Sequence, residues 1–340
     1  MTDTEPYRRK IQQSGGTTYT VSLPKEWAED RGMDVGSRVN LYTRGDRLLV
    51  TPPDDNKRQQ VTVPAAGHSP AELSRLVTAA YVAGSEEIRI TGTLDRETRA
   101  TVRQSVSDLL GMEITEETDR TLVARAMLDA DDLSPKQTLA QMETITLSMH
   151  EQAVDAVLTA DSSAVESVAG QDDSVDRLFA LVSREFQCSL VDIRLDRMGD
   201  GLTTFDYYHA ARQLERVADH AETIGEAAAF IESPPPEDID AELRTIAADA
   251  RELVRRALAE TLGDRDPDTL GRIMVDAEPV VATAKTLDRE LYDRDLANGH
   301  ALAGVLDSLA RTAEYAVNIA DTGVQASCRE HDTKPAQRPN

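Results

Sequence analysis

A helical segment running from Arg212 to Glu226 returns about 95 residues later in the same register, and this internal repeat constrains the fold more than any other feature of the 340-residue chain. In the first copy Leu214, Val217, Ala218, Ala221, Ile224 and Gly225 fall on one helix face, with Glu215, Asp219, Glu222 and Glu226 in an acidic line beside it. Such an edge can collect a cation. The second copy, Leu309 to Asp321, pairs Leu214 with Leu309, Arg216 with Arg311, Asp219 with Glu314, His220 with Tyr315, Ile224 with Ile319 and Glu226 with Asp321. Glu215 loses its counterpart, to Ala310.

The surroundings of both copies carry helical periodicity. Ser134-Pro135 supplies an N-cap and first turn, and Leu139, Met142, Ile145, Met149, Ala153, Val154 and Val157 form a long apolar stripe behind it. The next helix carries Val175, Leu178, Leu181, Val182, Phe186, Leu190 and Ile193 as its apolar stripe, and the third holds the repeated motif. Ser233-Pro234-Pro235-Pro236 breaks the chain, and three more helices follow at about 237–264, 267–293 and 299–328. The second helices match as well, Val175-Asp176-Arg177-Leu178 answering Leu287-Asp288-Arg289-Glu290. The expectation is an all-α body of two tandem three-helix bundles, residues 134–232 and 236–330.

Two smaller modules precede it. Residues 60–130 read as βαβαββ: strands at Val61–Val63 and Glu87–Thr91, helices at Pro70–Ala83 and Arg96–Leu110, and a closing hairpin of Met112–Glu116 and Thr121–Ala126. They contain no phosphate-cradling glycines, no nucleophile with a base and no metal-ligand spacing; His68 reads as a loop residue, and the module as a spacer or regulatory domain. Residues 7–52 read as four short strands and one small helix: strands flank the turn Gly15-Gly16, with Tyr19, Val21 and Leu23 on one side of the second, Pro24 opens the helix Lys25–Asp30, and a last hairpin turns at Gly45-Asp46. Val21, Leu23, Val39, Leu41, Leu48 and Val50 are too few to make a core within one chain, so the head is expected to dimerise.

Composition narrows the setting. The formal net charge is -24, from 61 acidic against 37 basic residues. Residues 1–52 hold eight bases against seven acids, leaving 29 against 54 for the remainder, so a nearly neutral head rides on a strongly acidic body. An acidic surface with only six lysines resembles that of proteins from salt-accumulating archaea. No stretch of 18 apolar residues appears and the start lacks a signal-peptide core, so a cytoplasmic location without membrane insertion is expected. Cys188 and Cys328 show neither disulfide density nor metal spacing, and each is expected to be a buried free thiol.

Two resemblances gather these observations. The head, through Val21–Trp27, Gly32–Val39 and Gly45–Val50, resembles the AbrB/SpoVT swapped-hairpin family, which implies an intertwined homodimer, usually a DNA binder; Arg8, Arg9, Lys10 and Lys25 then read either as phosphate-contacting residues or as a solvated strand edge. The body, through Leu214–Ala221 and its repeat, resembles the PhoU family of phosphate-uptake regulators. That resemblance implies that carboxylates of the second and third helices, here Asp176, Glu215 and Asp219 and in the second repeat Asp288 and Glu314, hold iron, zinc or another divalent ion. His209 and His220 read as packing residues, because Tyr315 in the place of His220 cannot ligate alike.

No triad, activated nucleophile or cofactor loop is present, so an enzyme is not expected. The leading reading is a regulator of phosphate uptake that docks a phosphate ABC transporter or its signalling partner. A second is a DNA-binding transcriptional regulator whose helical body is the sensing module. A third is a carboxylate-bridged metalloenzyme, since helix bundles hold such sites.

Overall fold

The structure, a computed structural model, describes residues 6–44, 47–52, 60–127, 134–191, 201–294, 296 and 298–333. The chain divides into two compact units, residues 1–58 and 59–340.

In the first unit β1 (Gln12–Ser14) and β2 (Thr18–Thr20) pair antiparallel, and β3 (Asn40–Arg44) pairs with β4 (Arg47–Thr51). Gly15 and Gly16, at φ 66° and 80°, make the first turn in a conformation that side chains resist. Between the hairpins lies α1 (Lys25–Asp30). β2 is shorter than the alternation predicts: Val21 and Leu23 lie beyond it, where the chain straightens toward Pro24. The predicted tip Gly45-Asp46 lies outside the described residues. Apolar side chains here stay largely uncovered, with Tyr19 75%, Leu41 59% and Leu48 54% exposed and Met33 alone buried among the described residues.

The second unit opens with the expected βαβαββ layer. β5 (Gln60–Pro64) runs parallel to β6 (Glu87–Thr91), while β7 (Met112–Glu117) and β8 (Thr121–Ala126) complete an antiparallel remainder, in the order β5-β6-β8-β7. Helices α2 (Pro70–Val82) and α3 (Arg96–Ser107) pack on one face through Leu73, Val77, Val102 and Val106, against Ile88, Ile90, Leu122 and Ala124. A capping box of Ser69 and Glu72 starts α2, and Asp95 caps α3.

Six helices follow: α4 (Pro135–Thr159), α5 (Val165–Val191), α6 (Thr204–Ala228), α7 (Glu237–Leu262), α8 (Pro267–Arg294) and α9 (Gly299–Thr333). Within each set of three the helices pack on one another, and α6 and α9 join the two sets across a shared core. The inner face of α6 is fully buried, as its spacing predicts, and Gly225 lets it approach Val168 so closely that a Cβ would stand 3.1 Å from a valine methyl carbon. The chain is thus multidomain: a small β-rich head, an α/β layer and an all-α body.

Four expectations need correction. Cys328 is exposed and Cys188 half-buried, because each sits toward an outer helix face. Ser134 begins α4 without a side-chain capping bond; its carbonyl instead accepts the Thr138 hydroxyl. The stripe of α5 leaves the core early: Val175 and Val182 are buried, but Phe186 is half-buried and Leu190 is 63% exposed, and Ile193 lies outside the described residues. The last helix extends to Thr333, past the predicted 328.

The layer and the body meet on α5. Arg184 donates from Nη1 to the carbonyls of Tyr81 (2.6 Å) and Ser85 (2.9 Å), with its guanidinium 4.9 Å from the centre of the Tyr81 ring. Arg177 pairs with Asp108 at 2.6 Å. Two arginines of the bundle therefore meet the C-terminal ends of α2 and α3, where carbonyls lack helical partners and the helix dipole is negative.

Candidate functional site

Helix α6 begins with a capping box, Thr203 and Asp206 exchanging bonds between side chain and backbone, and Arg329 of α9 reaches the same Asp206 carboxylate. Burial of the apolar face leaves Glu215, Asp219 and Glu222 along the edge that faces α5. There they meet Asp172 and Asp176, one helical turn apart.

The electrostatics of this edge are those of crowded carboxylates. Burial, joined by the charges of Asp176, Glu222, Asp219 and Asp173, pushes Asp172 up to about 7. Burial and the charge of Asp219 likewise push Glu215 up to about 7, against the opposing pull of Arg212. Asp176, Asp219 and Glu222 all lie above the usual carboxylate range, with burial the first cause in each. Arg212 Nη1 stands 2.8 Å from Glu215 Oε1, whereas Glu215 Oε2 and Asp172 Oδ1 are buried and find no hydrogen-bond partner among the described residues.

The second repeat is built differently at the corresponding place. Ala310 is buried where Glu215 stands, Glu314 pairs with Arg311 at 2.8 Å, and Asp288 is exposed. The acidic residues Asp288 and Glu314 thus lack the second-turn carboxylate that crowds the first site.

An all-oxygen donor set with orphaned oxygens suits a hard cation. As the side chains are placed, however, no group of three or more His, Cys, Asp or Glu residues among those described converges to hold a metal ion. The histidines point elsewhere. His220 bonds Ser308 (3.1 Å) and Tyr315 (3.2 Å), and His209 bonds Thr322 (2.7 Å), all on α9.

Sequence reading missed Asp172 and Arg212. Asp172 was detectable, since it precedes Asp176 by four residues on one helix. Arg212 had no such signal, because its role depends on where α6 sets its side chain between Glu215 and the Phe179 ring.

In the head, Arg8, Arg9, Lys10 and Lys25 are exposed. Arg9 lies over the Tyr7 ring at 5.5 Å, and Lys25 pairs loosely with Glu29 at 3.5 Å. They are accessible to a phosphate backbone, and the structure gives none of them a buried structural role.

These features define a class of architecture, a duplicated three-helix body with a carboxylate-lined edge, preceded in the chain by a separate β-rich unit. Comparison with known proteins gives the particular likeness. Residues 139–228, which cover most of α4 through α6, match the PhoU domain, and residues 12–58 match the antidote-toxin recognition MazE family, a bacterial antitoxin. The fold is similar to that of PhoU from Pseudomonas aeruginosa, at 21% identity and a TM-score of 0.50 over 57% of this chain and 96% of that one. It is similar also to the phosphate transport system regulatory protein PhoU from Streptococcus pneumoniae, at 18% identity and a TM-score of 0.50 over 57% and 93%. At these identities the likeness is one of fold. No curated protein sequence matches the chain. Among the described residues no helix is long and apolar enough to cross a membrane.

Proposed function

We propose that this chain is a cytoplasmic regulator of phosphate uptake, whose PhoU-like body restrains a phosphate transporter or its signalling partner. The observation that carries the reading is the PhoU-domain match over α4–α6, supported by a fold shared with two PhoU structures across more than half the chain. The test is a deletion strain profiled in phosphate-rich and phosphate-poor medium. Loss of restraint should raise phosphate uptake and transporter transcripts in rich medium; unchanged uptake and transcripts would overturn the proposal.

The head supports a second element, DNA contact by a dimer. Its match to the MazE family and its uncovered Tyr19, Leu41 and Leu48 favour pairing of two heads into one core. Removal of residues 1–52 is expected to lower the oligomeric state in sedimentation velocity. Reversing charge at Arg9 and Lys25 should abolish retardation of the protein's own promoter DNA, and binding should weaken as potassium rises, because neutralised phosphates release counterions.

The carboxylate edge supports divalent or trivalent metal binding, with iron and zinc the candidates and Asp176, Glu215 and Asp219 the first-repeat ligands. Convergence on one ion needs the carboxylates to turn inward. In the second repeat Asp288 and Glu314 form a weaker site because Ala310 removes both a ligand and a charge. Asp219→Ala is therefore expected to remove more metal than Glu314→Ala after dialysis, and equal losses would rule the asymmetry out.

A further inference from the structure

The apolar stripe of α5 does not end where the core ends. From the core margin, where Phe179 and Tyr208 pack, the rings run outward: Phe186 stacks on Tyr208 of α6 (centroids 4.9 Å apart, planes at 19°), Tyr208 on Phe179 (5.8 Å), and Phe186 against Phe205 (5.8 Å), with Phe205 48% and Leu190 63% exposed. The chain contains four phenylalanines, and three of them stand in this one ladder.

The internal repeat serves as a control on what the fold requires. Phe179, Phe205 and Tyr208 correspond to Leu291, His300 and Ala303, so the second bundle closes without a phenylalanine or tyrosine at any of these places. Packing alone does not call for the ladder, and an exposed aromatic surface loses the hydrophobic free energy that burial would supply.

The ladder is also continuous with the carboxylate edge. Phe205, Tyr208, Arg212, Glu215, Asp219 and Glu222 follow one another at alternating spacings of three and four, which makes a straight line about 25 Å long on α6. Arg212 is the join, with its guanidinium 5.3 Å from the Phe179 ring centre on one side and Glu215 2.8 Å away on the other.

We infer that this strip is the docking surface for an amphipathic helix of a partner protein, apolar residues at one end seated on Phe186, Phe205 and Leu190, basic residues at the other facing Asp172, Asp219 and Glu222. A helix of about 17 residues matches the strip's length, and an apolar helix face on such a stripe is a common recognition mode. Charge decides among occupants. An anionic membrane or a nucleic acid would meet the carboxylate half and be repelled. A second copy laid antiparallel would set rings against carboxylates, and laid parallel would set carboxylates against carboxylates. A helix with a basic end and an apolar end satisfies both halves. The inference stands whether or not the partner belongs to a phosphate system.

The experiment uses the full chain, with chelator present, and a fluorescein-labelled 18-residue synthetic helix carrying leucines in one half and lysines in the other, followed by fluorescence anisotropy. Binding is expected to fall at least tenfold in Phe205→Ser/Leu190→Ser and in Asp172→Asn/Asp219→Asn. It should be unchanged in Tyr292→Ser, which alters an exposed ring on α8. A peptide with glutamates for lysines should not bind. Photocrosslinking of a benzophenone-bearing version of the peptide to the unaltered chain, with the attachment sites read by mass spectrometry, needs no variant and should label α5 or α6 near Phe205. Three results would overturn the inference: crosslinks spread over the whole acidic surface, an equal loss in Tyr292→Ser, or binding of anionic vesicles that Phe205→Ser/Leu190→Ser abolishes.

Discussion

The His220 imidazole and the Tyr315 hydroxyl, which occupy the same position in the two halves of the internal repeat, are hydrogen bonded to each other across 3.2 Å. A position that touches its own counterpart places a local two-fold axis between the halves, as in an isologous contact. The flanking pairs agree: His209 with Thr322 and Gln213 with Asn318 advance along α6 as they retreat along α9, so the motif helices lie antiparallel. Tyr315→Phe removes one bond from this seam and leaves His220 its bond to Ser308. A loss of about 1 kcal/mol in urea unfolding is expected, and a loss near zero would place water, not Tyr315, as the effective partner.

A second histidine sits deeper on the same seam. His150 Nδ1 lies 3.3 Å from Arg251 Nη1, which can only donate, so Nδ1 accepts and Nε2 carries the hydrogen toward Thr312 Oγ1 at 3.4 Å. Burial, aided by the charges of Arg251 and His220, pushes its pKa down to about 3. Between about 6.5 and 3 the unfolded chain binds a proton that the folded chain does not, so stability from this group is full above 6.5 and falls with pH by up to tenfold in the unfolding equilibrium per unit. His150→Gln should flatten that fall when urea midpoints at pH 7 and 4.5 are compared; an unchanged slope would show that another group carries it.

The crowded carboxylates act in the opposite sense. Because Asp172 is held near 7 when folded, it binds its proton more readily in the folded chain, and its penalty is present above 7 and relieved as pH falls toward the unfolded value. With metal chelated, Asp172→Asn should raise Tm at pH 8.5 and leave it nearly unaltered at pH 4. Destabilisation at pH 8.5 would mean that the carboxylate makes a stabilising contact that outweighs the repulsion.

Arg184 offers a test of how the α/β layer is held. Its two bonds go to the main-chain carbonyls of Tyr81, in the last turn of α2, and of Ser85, just past it, and its guanidinium also lies over the Tyr81 ring. Arg184→Ala should cost roughly 1.5–3 kcal/mol, the range for bonds to a charged group. Arg184→Lys should recover less than half of this, since an ammonium cannot present a planar fork and stack at once. Hydrogen exchange in α2 should quicken in both variants; exchange that rises uniformly over the body would instead indicate global loosening.

Periodicity and punctuation in the sequence determine the element order of this chain. The 3.6-residue stripes marked α4 to α6, the repeat carried that reading to the second set of helices, the proline run after Ser233 separated the two sets, and short strand-like runs marked β5 through β8, because each of these signals is local to one chain segment. Helical spacing within the first motif copy likewise exposed the acidic line Glu215, Asp219 and Glu222. Tertiary structure alone decided which residues from different segments meet. It brought Asp172 into that line, turned His220 toward Tyr315, put Arg212 between a carboxylate and a ring, and left Phe186 and Leu190 outside the core although their spacing is that of core residues. The reason is that helical spacing fixes a face, whereas burial of that face depends on how far the neighbouring helix extends along it, and no local pattern encodes that length.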